Sequence, residues 1–205
     1  MNSRRLRFTS LTVFFLGAAA LAASAQQPAA PQLPARYLEP IQLYTVALGT
    51  FTRPISSTNK DAQAFFTQGF QMMYAFAKVE AVRSFRESWK RDPACAICYW
   101  GEAWAWGSYL NAPMNAEEAP GAYAAIQKAL SLKDRATAKE RAFIDALAVR
   151  YVKDFDPEKR VEQDRTYADA MRKVSEAYPD DLDAATLYAD ALFLLEPRRG
   201  RKSVV

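Results

Sequence analysis

The stretch from Phe65 to Pro93, FFTQGFQMMYAFAKVEAVRSFRESWKRDP, places aromatic, small and chain-breaking residues where a pair of packed helices needs them. Phe65 stands near the start of a first helix, with Gly69 one turn on. Gly69 and Ala81 are small where the two helices come closest, and Phe85 fills the space between them. Pro93 cannot continue a helix and ends the second one. The pattern returns: Tyr99 lies 34 residues after Phe65, Ala103 takes the place of Gly69, and Ala122, Ile126 and Ala129 repeat the spacing of Ala81, Phe85 and Ser88. A period of about 34 residues is that of a helix–turn–helix unit. One such unit cannot bury its own apolar face, so the chain is constrained to an all-helical stack.

The rest of the chain follows this plan. The first pair is expected at Asp61–Ala77, capped by Asn59 or Asp61, and at Val79–Lys90. The second is expected at Ala94–Leu110 and Gly121–Leu132, with a long loop from Asn111 to Glu118 projecting from one face. A weaker third pair reads as Ala136–Val152, with Phe143, Leu147 and Tyr151 on one stripe, and Arg160–Tyr178, closed by Pro179. A last helix, Leu182–Leu195, is capped by Asp180 or Asp181 and has no following partner. The expected fold is an all-α solenoid of about three helix–turn–helix repeats plus one terminal helix, over residues 61–196. Its last helix carries Leu187, Leu192 and Leu195 with nothing to cover them, which predicts self-association or marginal stability.

Composition agrees with helix. Half of the 205 residues are apolar and only seven are glycine. The net charge of +4 says little about partners. Without the three arginines of the N-terminal segment, 24 basic residues face 23 acidic ones, and four of the basic ones crowd the last eight positions. No basic stripe interleaved with aromatics appears, which argues against nucleic acid. The chain has no histidine, so neither His acid–base chemistry nor a His-ligated metal or haem site can be built from it.

Residues 1–25 read as an export signal: Arg4, Arg5 and Arg7, an apolar run from Leu11 to Ala23, and the small-residue site Ala23-Ser24-Ala25, with cleavage after Ala25. General secretion to the periplasm or beyond is the expected route, with membrane contact only through the uncleaved signal. Residues 26–60 form a lead-in whose Gln, Pro and Ala content up to Pro40 reads as an extended linker. Residues 197–205 read as a solvated basic tail.

The repeat signature is that of tetratricopeptide repeats. From Phe65 to Gly200 the chain resembles the N-terminal part of a family of exported bacterial tetratricopeptide-repeat proteins of mostly unassigned function. The stretches that carry the resemblance are FTQGFQMMYAFAKVEAVRSF, DPACAICYWGEAWAWG, LNAPM, AKERAFIDALAVRY, YPDDLDAATLYADAL and EPRRG. Members commonly have Asn-His where this chain has Ala77-Lys78. They are also longer, with histidine-containing motifs in their later half. The chain therefore resembles a truncated member or a fragment.

Few residues suggest chemistry. Cys95 and Cys98 form a CxxC beside a helix start. A short-range disulfide, a redox-active pair and two small packed residues are all open readings, the first favoured by an oxidising compartment. Tyr99 after Cys98 rules out haem attachment. Trp100, Trp104 and Trp106 are expected to be mainly core. The candidates for partner binding are Trp104, Tyr109, Asn111 and Met114. Glu80, Glu87, Glu102, Asp145 and Asp169 are scattered carboxylates with no acid–base pairing. The expected function is an exported scaffold that binds a peptide or protein, without catalytic residues, cofactor or metal. The alternative is the scaffold half of a longer metal-dependent or redox enzyme whose histidine motifs are missing here.

Overall fold

A computed structural model describes residues 33–46, 48–110 and 112–196. Seven α-helices follow one another: α1 Lys60–Tyr74, α2 Lys78–Arg91, α3 Ala96–Trp106, α4 Ala119–Ser131, α5 Ala138–Ala148, α6 Arg160–Ala177 and α7 Leu182–Phe193. Among the described residues there is no strand, only an isolated bridge between Tyr109 and Ala112. No described helix is long and apolar enough to cross a membrane.

The ends of these helices are written in local chemistry. Asn59 caps α1, its Oδ1 accepting from the Asp61 and Ala62 amides at 3.0 Å each. α1 stops at Tyr74, short of the expected Ala77, because Phe76 turns left-handed at φ 60°. The Phe76 and Ala77 amides then fold back onto the carbonyls of Met73 and Met72 at 3.0 and 2.9 Å, the closure usually made by glycine. Thr137 and Glu140 cap α5 reciprocally, each side chain accepting from the other's amide. Asp181 caps α7 through the Ala184 amide at 3.1 Å.

Packing is sequential. Each helix lies against the next, and α3 also touches α1 and α5, so alternate helices form a second row in an α-solenoid-like arrangement. The heart of the first two pairs is the Phe85 ring, fully buried between two glycines. A Cβ on Gly69 would stand 2.8 Å from the ring, and one on Gly101 closer still. Trp100 and Trp106 are also buried, their indole N–H groups donating to Phe143 O at 3.0 Å and Glu102 Oε1 at 3.1 Å.

The α5–α7 end is joined differently. Arg150 has no exposed surface. Its Nε donates to Asp164 Oδ1 and its Nη2 to the Ser108 carbonyl, each at 3.0 Å. Arg160 donates to the same carboxylate at 2.7 Å. The Arg150 guanidinium lies 4.7 Å over the Tyr167 ring. Buried charge thus ties the end of α3 to α6.

Three expectations need correction. Residues 33–40 are not a free linker: Tyr37 is only 3% exposed, its ring 4.4 Å from Trp106 and its hydroxyl donating to Glu118 at 2.6 Å. Linker-like composition hides one aromatic anchor with a buried acceptor waiting for it. The 112–118 part of the loop after α3 is pinned at two points, although Pro113 and residues 115–117 are exposed. Met114 and Glu118 are buried, and Glu118 takes Lys78 at 2.7 Å. Of the three leucines expected to lie bare on the last helix, Leu187 is 1% exposed in the core and Leu195 is half-buried against it, while Leu192 is exposed.

Candidate functional site

Two neighbouring cavities form the halves of a groove along α7, the first toward α5 and the second against α1 and α3. The first is crossed by the strap of residues 48–56. Arg53 carries it: the guanidinium lies 5.3 Å over Phe70 and 4.8 Å over Phe143, donates to Asp181 at 3.1 Å, and pairs with Asp183. Lys139 adds a second bond to Asp181 at 2.9 Å. Burial alone would raise the Asp181 carboxyl, but the hydrogen bonds from Arg53 and Lys139 outweigh it and hold the pKa at about 2.

The Tyr74 hydroxyl closes this layer, donating to Asp183 at 2.6 Å. Burial, and then that bond, push its pKa well above the ordinary phenol value. On the far side lies the second half, an open cavity of about 330 Å³ lined by Tyr74, Phe76, Trp104, Tyr109, Asp190 and Phe193, among others. Phe76 and Tyr109 stack at its rim with centroids 6.2 Å apart, and Phe193 is 54% exposed. Burial raises the Asp190 carboxyl, against the pull of Arg150 behind it.

Phe76 is the notable member. A bulky side chain at φ 60° is strained, at a cost of order 1–2 kcal/mol. Nothing in the helix ending requires phenylalanine, since glycine closes such turns without strain. The ring sits instead where it shapes the cavity mouth.

The residues singled out in the sequence scatter over this picture. Phe65, Ala81 and Phe85 are buried repeat positions, Gly69 gives Phe85 its room, and Pro93 is exposed after α2. Trp104 and Tyr109 meet at the cavity. Met114 lies under its own loop, its amide donating to Ser108 Oγ at 2.9 Å, and does not reach the cavity. Asn111, the expected export signal and the expected basic tail lie outside the described residues. Cys95 and Cys98 are joined in a disulfide with both sulfurs buried, so the pair staples the start of α3 and presents no open thiol. The Cys95 sulfur also accepts from the Cys98 amide at 3.2 Å. Among the described residues no group of three His, Cys, Asp or Glu is placed to hold a metal ion.

Sequence reasoning missed Arg53, Tyr74, Phe76, Asp183, Asp190 and Phe193. A signal existed for some: Phe76 sits two residues before a new helix, where a glycine or asparagine is expected, and Arg53 is the one cation between Arg36 and Lys60. Comparisons with family models, curated proteins and solved structures found no match for the chain.

Proposed function

We propose that the chain is an exported tetratricopeptide-like scaffold that binds a peptide or protein partner through the α1–α3–α7 cavity. The observation that supports this reading is the strained Phe76 at the mouth of an open, aromatic-walled cavity. Strain kept at a cavity rim points to a role in binding. A partner would insert an apolar side chain between Trp104 and Phe193, its desolvation supplying most of the affinity, as anchor residues do at interfaces.

The test is to pan a displayed-peptide library against the full chain. Enriched peptides should share an apolar anchor, and a Phe193→Glu chain should bind them about tenfold more weakly or worse. Failure to enrich any peptide, or enrichment that Phe193→Glu leaves unchanged, overturns the reading.

A further inference from the structure

The strap is held as a ligand is held. Gln71 Nε2 donates to the carbonyls of Leu48 and Phe51 at 2.9 Å each. Gln63 donates to the Arg53 carbonyl at 2.8 Å and accepts from the Ile55 amide at 2.9 Å. Glu140 accepts from the Ser56 amide at 2.8 Å. Bonds to main chain hold an extended segment whatever its side chains, and pockets then give specificity. Here one side chain is read, Arg53, between two aromatic faces and two carboxylates. A planar guanidinium suits that arrangement better than an ammonium does.

The strap contributes little burial of its own. Among the described residues from Gln42 to Thr58 none is fully buried. Segments with few buried apolar contacts open first in a folded protein. A segment held by main-chain bonds and one arginine can be exchanged for another with the same chemistry.

We propose that this half of the groove is an arginine-reading site for extended peptides, filled in this chain by its own residues 48–56 and taken over by a partner segment carrying arginine between an aromatic residue and proline. The proposal rests on the partner-binding reading and names the chemistry of the partner. Displacing the strap would leave the Asp181 and Asp183 carboxylates paired with the incoming arginine, so no buried charge is stranded.

The probe is the fluorescently labelled peptide LGTFTRPISS, which copies residues 48–57, titrated by anisotropy into the full chain. An Arg53→Ala chain, whose own strap is loosened, should bind it at least about tenfold more tightly than the unaltered chain does, because the unaltered strap competes. The same peptide with alanine for arginine should lose about tenfold or more on the Arg53→Ala chain. No binding by a folded Arg53→Ala chain, or binding indifferent to the peptide's arginine, overturns the proposal. If Arg53→Ala does not fold, hydrogen exchange on the unaltered chain decides. Excess peptide should speed exchange at the Ile55 and Ser56 amides while α1–α4 stay protected, and unchanged exchange overturns it. Peptide binding at the Phe193 cavity that persists without strap exchange would sink this proposal alone.

Discussion

The two ends of the stack solve the same packing problem with different physics. From α1 to α4 the core is aromatic and glycine-lined, and Phe85 is gripped between Gly69 and Gly101. From α5 to α7 a buried Arg150–Asp164–Arg160 cluster joins elements that carry fewer large apolar side chains. Apolar packing tolerates no loss of volume but needs no partner. Buried charge fills space as well, yet each group depends on the others remaining in place. The groove draws on both kinds of chemistry: Phe70 and Phe143 supply aromatic faces to Arg53, and Asp181 and Asp183 supply charge.

The sharpest way to break the contrast is to empty the aromatic end. Phe85→Ala should cost about 3–5 kcal/mol, since the facing glycines offer no side chain to collapse into the void. Thermal and denaturant unfolding would read it, and a loss under about 1 kcal/mol would mean that the ring is not the keystone of the first pairs. Next comes Arg150→Met at the charged end. We expect a loss of about 2–3 kcal/mol, below the usual ~3–5 for an orphaned buried ion, because Arg160 still pairs with Asp164. A neutral or stabilising result in the same unfolding assay would show that the cluster serves specificity alone.

The groove gives smaller effects of opposite sign. Phe76→Gly should stabilise the chain by about 0.5–1 kcal/mol, because it frees a left-handed residue from its Cβ, and should weaken peptide binding at the cavity. A lower melting temperature for the glycine variant would remove the argument from strain. The smallest effect is in acid. The Asp181 carboxyl lies below its ordinary value, so its contribution is complete above about pH 4 and is lost as pH falls through about 2. Asp181→Asn should therefore melt lower than the unaltered chain at pH 6, with the gap closing toward pH 2. A gap constant across that range would contradict the strap clamp.

What was legible in the sequence was the repeating part. Phe65, Gly69, Ala81 and Phe85 announce helix pairs because their spacing is set by helix geometry within a short window. The elements fall near the expected ranges, and Asn59 and Asp181, both among the expected caps, start helices by side-chain oxygens, whereas the Thr137 cap of α5 was not foreseen. The site was half legible. Trp104 and Tyr109 stood out as aromatics beside a loop, but Tyr74 and Phe193 reach the same cavity from helices more than a hundred residues apart. Arg53 meets Asp181 across 128 positions, a pairing that no local period encodes. Composition misled at Tyr37, because a Pro- and Ala-rich segment needs only one well-placed ring to be anchored.

That long reach also fixes an order of events during folding. Contacts between neighbouring helices close short loops and form early, whereas the Arg53 clamp closes a loop that spans most of the chain. The strap precedes α1, yet its carboxylate partners arrive only with α7. Loop-closure cost therefore makes the strap, near the start of the chain, the element expected to settle after the helices it crosses.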